Sequence, residues 1–263
     1  MALPLPPPDA GLRVDAGGRV LHLLPERALW LEDSRTLLVA DVHLGKAASF
    51  RALGVPVPGG TTAATLERLA RVVAALAPRR LVVLGDLLHG PTAQHAGAVD
   101  ALAHWRARHA ALDVVLVRGN HDDRAGDPPP HCAIDVVDEP LVGGGLALRH
   151  TPGEDDGLVT VAAERDVRVD AAAAQDGAYV IAGHVHPAYR LAARGDAVRL
   201  PCFVIGAQRA LLPAFGEFTG GAAIAPRPSD RIFVTDGERV HAVPPRPDAR
   251  AVRGPAHAGS AAR

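Results

Sequence analysis

Five times along this chain an apolar run stops at a short segment rich in Asp, His or Asn. Leu37-Leu38-Val39-Ala40 leads into Asp41-Val42-His43, and Leu81-Val82-Val83-Leu84 into Gly85-Asp86. Val114-Val115-Leu116-Val117 precedes Gly119-Asn120-His121-Asp122, Leu146-Ala147-Leu148 precedes His150, and Tyr179-Val180-Ile181-Ala182 precedes Gly183-His184-Val185-His186. Short, continuous apolar runs of this kind read as strands buried on both faces. The polar segments then stand where strands end. In open α/β sheets the carboxyl ends of the strands are where sites are built.

The stretches between the runs support that frame. Thr61 to Ala77 reads as a helix with Leu66, Leu69, Val72, Val73 and Leu76 on one face, capped by Thr61 or Thr62 and ended by Pro78. A second helix spans Ala96 to Ala111, with Val99, Leu102 and Trp105 as its stripe. The order β-α-β-α-β implies a largely parallel sheet with right-handed crossovers. Ahead of it, Arg13 to Leu31 alternates apolar and polar residues around Gly17-Gly18, a hairpin signal.

After Asn120 short strands follow at Leu146–Arg149, Tyr179–Ala182, Val198–Ile205, Ala222–Ala225, Arg231–Thr235 and Arg239–Val243, which suit a second sheet packed on the first. The insert 152–178 reads as a lid with a helical piece between Thr160 and Gln175. The expected organisation is a flexible arm at 1–11, one domain over 12–243 and a disordered Pro/Ala/Arg-rich tail at 244–263.

Composition narrows the function classes. A formal net charge of -1 argues against coating nucleic acid by bulk charge, and leaves room for a local basic groove. The two cysteines, Cys132 and Cys202, form no CxxC, which fits a reduced cytoplasmic protein without a disulfide. The proline-rich N-terminus is not a signal peptide, and no run reaches the length that spans a bilayer, so no membrane partner is expected.

The polar segments carry metal chemistry. Asp41 and His43 are two apart, as are His184 and His186; on extended backbone such residues point to one side. Asp86 offers two carboxylate oxygens that can bridge two cations, and its preceding glycine allows close backbone approach. Asn120 adds a neutral oxygen donor. Imidazole with carboxylate suits zinc, manganese or iron rather than calcium. A pair of such ions clamps the attacking and leaving oxygens of an in-line displacement and acidifies a bridging water, so that hydroxide attacks phosphorus.

The series D-x-H, G-D, G-N-H-D, H, G-H-x-H, running from Leu37 to His186, resembles the calcineurin-like metallophosphoesterase family. The resemblance implies an α/β fold, a four-layer α/β/β/α sandwich. It implies one metal on Asp41, His43, Asp86 and His186. A second would sit on Asp86, Asn120, His150 and His184, with Asp86 bridging. His121 would steady the phosphate and protonate the leaving oxygen.

Further stretches are similar to a subfamily of ligase-associated DNA damage response endonucleases. They include Gly45-Lys46-Ala47-Ala48, Phe50-Arg51, Gly54-Val55-Pro56-Val57-Pro58-Gly59, Leu200-Pro201-Cys202-Phe203 and Leu212 to Gly221. That similarity implies a DNA endonuclease of DNA repair, loaded with Mn2+ (Zn2+ or Fe2+ being the alternatives) and working beside a DNA ligase and a helicase. The phosphoprotein phosphatases of the superfamily carry G-D-x-x-D, where the second Asp orients the catalytic His. Here that position is His89, which argues against their branch.

Each residue has a plainer role to weigh. Lys46 and Arg51 are substrate-binding candidates or loop charges, and His89 joins them because it follows Asp86. Phe203, Phe215 and Phe218 read as core before they read as base-stacking groups. The rival functions are a phosphatase or nucleotide phosphodiesterase acting on small esters and, with all seven ligands present, more remotely a non-catalytic scaffold of the same fold.

Overall fold

The apolar runs pair into two sheets. The computed structural model describes residues 10–91, 97–153, 159–160, 177–193 and 196–245. The first sheet contains β1 (Leu12–Ala16), β2 (Arg19–Leu24), β3 (Ala28–Leu31), β4 (Thr36–Ala40), β5 (Arg80–Leu84), β6 (Asp113–Val117) and β7 (Asp135–Val137), in that spatial order. β1 to β4 are antiparallel neighbours and β4 to β7 are parallel. The hairpin expected around Gly17-Gly18 is β1–β2, where both glycines have positive φ.

The second sheet holds β8 (Leu141–Gly143), β9 (Leu146–Arg149), β10 (Val159–Thr160), β11 (Tyr179–Ala182), β12 (Pro187–Ala193), β13 (Asp196–Ile205), β14 (Arg209–Leu211), β15 (Ala222–Ala225), β16 (Arg231–Thr235) and β17 (Val240–Ala242). Its order is β10-β15-β12-β13-β14-β11-β9-β8, with β16 joining β13 to β17. β11 lies parallel to both β9 and β14, so two of the polar segments leave this sheet at the same end.

Helices α1 (Lys46–Ala52), α2 (Thr61–Leu76), α3 (Ala98–Arg108) and α4 (Asn120–Ala125), with a 3-10 turn at Pro130–Cys132, complete the described elements. Leu66, Leu69 and Val72 of α2 and Leu102 and Trp105 of α3 pack on Leu37, Val39, Leu81, Val83, Val114 and Leu116 of the first sheet. The other face of that sheet, through Leu38, Val82, Leu84, Val115 and Val117, meets Leu146, Leu148, Ile181, Phe203, Ile205 and Phe233 of the second sheet. Alternate residues of each strand thus enter different cores, which is why the runs are continuously apolar. Phe203 and Phe215 are fully buried and serve packing.

A third cluster around Cys202, Val204, Leu211, Ile232 and Val234 lies on the far side of the second sheet. No described helix contributes to it, so the outer helical layer has no member among the described residues. The helical piece expected in the insert, the first nine residues of the arm and 246–263 of the tail fall outside them. Both cysteines are free and buried.

Some expectations change. α2 is entered through Gly60 in left-handed conformation, with no side-chain cap. Thr62 instead accepts a hydrogen bond from the Gly45 N–H at 3.2 Å, tying α2 to the start of α1. α1, α4, β7, β8, β12 and β14 were not anticipated. All but β12 are short, and strong periodicity needs length; β12, with seven residues, begins at Pro187 and mixes Ala, Tyr and Arg without a clean apolar alternation.

Candidate metal centre

β4 stops at Ala40 and β11 at Ala182, and the chain turns sharply. Asp41, His43, Asp86, His184 and His186 all have positive φ, between 48° and 66°. This corrects the extended backbone expected for Asp-Val-His and His-Val-His. Each such non-glycine residue costs on the order of 1–3 kcal/mol and persists only where its surroundings over-determine it. The turn also separates His184 from His186, which enter different clusters.

Asp41, His43, Asp86 and His186 form one group, and Asp86, His150 and His184 another, with ligand atoms within 4.8 Å of one another in each. In the first, His186 Nε2 lies 3.1 Å from Asp41 Oδ1, and His43 Nε2 lies 3.6 Å from Asp86 Oδ2. In the second, His150 Nε2 is 3.4 Å from Asp86 Oδ1 and 2.9 Å from Asn120 Oδ1, while His184 Nδ1 is 3.0 Å from His150 Nε2. Asp86 is common to both groups, one oxygen facing each. The seven side chains come from both sheets.

Glycine makes this convergence sterically feasible. Gly85 has φ +74°, and a methyl there would collide with the His150 ring. A Cβ on Gly183 would stand 2.6 Å from Ala40 Cβ and 2.7 Å from Asp41 Oδ2. One on Gly119 would stand 2.5 Å from the Asp86 nitrogen.

Two carboxylates that sequence reasoning did not place brace the turns. Asp122 is fully buried and accepts the N–H groups of Asp86 (2.7 Å), Leu88 (3.1 Å) and Gly119 (2.9 Å). It sits at the third position of α4 and satisfies the helix-entry N–H, half of a capping box. Burial pushes its carboxyl up to about 6. Glu139 accepts the N–H groups of His150 (2.7 Å) and Thr151 (2.9 Å). Asp41 also accepts the His184 N–H at 2.9 Å, linking the sheets.

The electrostatics favour the neutral, ligating form of His43 and His184 and the ionised form of Asp41. Burial, aided by Lys46 and His186, holds His43 well below its ordinary pKa. Burial and neighbouring His150 lower His184. Burial opposes charging His150 as well, but the Asp86 and Asp41 carboxylates outweigh it and raise its pKa. Burial works against ionised Asp41 too, and His186 overcomes it, keeping that carboxyl low. His150 Nδ1 lies 3.1 Å from the Leu84 carbonyl, which can only accept, so Nδ1 carries a hydrogen, and in the neutral ring, the form a cation would select, Nε2 offers the lone pair. That lone pair faces the Asn120 oxygen and the His184 nitrogen. Lone pairs aimed at one another in a buried pocket fit a cation between them, and this N/O set fits a borderline transition metal.

His121 stands beside the bridge. Its N–H donates to Asp86 Oδ1 at 2.9 Å, and its Nδ1 donates to the His89 carbonyl at 2.6 Å. Where the phosphoprotein phosphatases carry an orienting Asp, this chain offers the ring a backbone oxygen of His89. The His89 ring stacks on His121 with centroids 4.7 Å apart, and its Nδ1 is 3.3 Å from His43 Nδ1. Burial, then His121, lowers the His89 pKa to about 4. Phe50 lies 6.3 Å from the His89 ring and 5.8 Å from Phe218, forming an aromatic rim. Lys46 stands close enough to act electrostatically on His43 and His89. Arg51 instead donates to the Pro58 carbonyl at 2.9 Å and braces the loop after α1.

Residues 34–188 match the family model described as calcineurin-like phosphoesterase. The crystal structure of Pseudomonas putida nuclease MPE is 41% identical, with 89% of this chain and 100% of that chain covered and a TM-score of 0.71. A phosphoesterase from E. coli, Yfce, is 14% identical over 75% of this chain and 86% of that one; its TM-score of 0.34 carries no argument. No curated protein sequence matches the chain.

Proposed function

The chain belongs to the calcineurin-like phosphoesterase family of metal-dependent hydrolases, and from that premise we propose that it is a two-metal phosphodiesterase cutting DNA internally. The observation that carries the chemistry is the shared Asp86, one oxygen turned to each group of imidazoles. Asp41, His43, Asp86 and His186 would hold one ion, and Asp86, Asn120, His150 and His184 the other. When bound, the ions acidify water and offset charge on the phosphate oxygens. Mn2+ is the proposed occupant.

The chain's own groups do the rest. Asp122 and Glu139 fix the turns that carry Asp86 and His150. The His89 carbonyl fixes the Nδ1 hydrogen of His121, so Nε2 is the atom that faces the reaction. With Nε2 protonated, His121 donates a hydrogen bond to the phosphate and passes that proton to the departing oxygen. Lys46, at the start of α1, adds positive charge where a phosphate arrives.

The choice of DNA is supported by the 41% identity to a nuclease that this chain covers completely. It is also supported by the subfamily stretches around Gly45 and Leu212, whose resemblance points to repair beside a ligase and a helicase. The net charge of -1 favours the second reading, a phosphatase or nucleotide phosphodiesterase on small esters. Circular single-stranded DNA with Mn2+ separates them. Linearisation by the wild type and none by Asp86→Asn is the expected result. Intact circles alongside rapid hydrolysis of an aryl phosphodiester would move the function to small esters.

A further inference from the structure

A cavity of about 200 Å³ opens beside His186, lined by Arg27, Pro187, Ala188, Arg199, Pro201 and Glu217 among others. It is smaller than the roughly 300–1,000 Å³ of small-molecule sites and suits a compact polar group. His186 belongs to both this cavity and the first metal group, so the two are contiguous. Prolines and alanines supply its walls, and guanidinium groups supply its charge. The carboxylate present, Glu217, is engaged by Arg68 and also acts electrostatically on Arg27, which leaves Arg199 as the lining guanidinium without a carboxylate partner among the described residues.

The strand register adds a second, independent observation. In the β12–β13 ladder Arg190 is directly opposite Arg199. Two steps along each strand, Ala188 is opposite Pro201, and both line the cavity. Residues two apart on a strand share a face, so Arg190 extends the same face. Like charges directly opposite one another destabilise a ladder. Both arginines are exposed, and the Arg190 side chain has no hydrogen-bond or ion-pair partner among the described residues. Arg199 spends one N–H on the Gly221 carbonyl at 3.2 Å, and Arg27 one on the Gly216 carbonyl at 3.4 Å. Each guanidinium has five donors. Arg190 does not itself line the cavity, but its register opposite Arg199 places a further positive charge at the cavity's edge, where an anion would relieve the like-charge pairing.

We propose that Arg27, Arg199 and Arg190 form a second phosphate subsite, which holds the backbone phosphate next to the scissile one. The inference rests on the polynucleotide reading above. It makes the enzyme depend on a flanking phosphate, and a single-phosphate ester would forgo that contact.

The test compares TpTpT with the single-phosphate dinucleotide TpT and with bis(p-nitrophenyl) phosphate in the Mn2+-loaded full chain, using Arg190→Gln, Arg199→Gln and Arg199→Lys. The wild type should prefer TpTpT over TpT in kcat/KM. Either Gln variant should cut that preference by about tenfold and lower the salt dependence of oligonucleotide KM by about one phosphate contact. Arg199→Lys should restore part of it. Arg190→Gln should also melt no lower than the wild type, since it removes a repulsion; a merely structural arginine would lower Tm. An unchanged preference, or equal losses on all substrates, would overturn the subsite and leave the endonuclease standing. Hydrolysis of the aryl ester with no cleavage of either oligonucleotide would overturn the polynucleotide reading and the subsite with it.

Discussion

At the scale of the residue, the proposed mechanism separates holding from proton transfer. His121 touches Asp86 through its main-chain N–H, not its ring. Its side chain can therefore be removed without removing a proposed ligand. His121→Ala should keep its metal and lose roughly 10²- to 10⁴-fold in kcat, the range for an acid catalyst. Atomic-emission counting of metal beside steady-state rates checks this, and metal loss would make His121 a ligand rather than an acid. His89 orients that ring with its carbonyl, so His89→Ala should cost far less in kcat than His121→Ala. Asp122→Ala strips three buried N–H groups of one acceptor. It should destabilise the fold by about 3 kcal/mol or more, measured by urea unfolding.

The residues that the structure gathers were legible because ligand chemistry limits the choice to Asp, His and Asn, and strand ends give them a common address. Asp122 and Glu139 were not, because a carboxylate that serves backbone N–H groups looks like any acidic residue in a sequence. The His89 carbonyl has no side-chain signature at all.

At the scale of the element, strand ends bring the ligands together only where glycine removes a side chain. Gly85→Ala adds a methyl against the His150 ring at a φ that alanine resists. It should abolish hydrolysis and weaken metal uptake, while Gly90→Ala, whose methyl would meet nothing within 4 Å among the described residues, should do neither. The pair of variants isolates the contact from the substitution, and equal behaviour would contradict it. The Leu212–Gly221 stretch depends on α2: Arg68 bonds Glu217 and the Phe215 carbonyl and lies 4.5 Å over the Phe215 ring. Arg68→Met should cost about 2–4 kcal/mol by urea unfolding, because carbonyl and carboxylate lose a buried charged donor. Long elements were readable from periodicity. α1 and α4, with seven and six residues, were not, since both are entered through glycine and bury few apolar groups.

At the scale of the whole molecule, the helix-covered sheet and the second sheet meet over one core and place their ligand turns at a common edge. Asp41 joins them through the His184 N–H, and Asp86 faces groups from both. Metal bound to such a site stabilises the assembled sheets over the unfolded chain. The two-sheet plan was legible in the alternation of strand-like and helix-like runs. How the strands of the second sheet are ordered was not, because the pairings of β11 with β9 and β14, of β12 with β15 and of β13 with β16 join segments far apart in the sequence and leave no local pattern.

The most direct measurement is equilibrium metal stoichiometry with Mn2+ on the wild type and on Asp86→Ala. The account predicts two ions per chain in the wild type and, in the variant, loss of the pair together with phosphodiesterase activity. A single ion at saturation in the wild type, or two still bound without the Asp86 carboxylate, would contradict the shared-ligand site on which the whole reading stands.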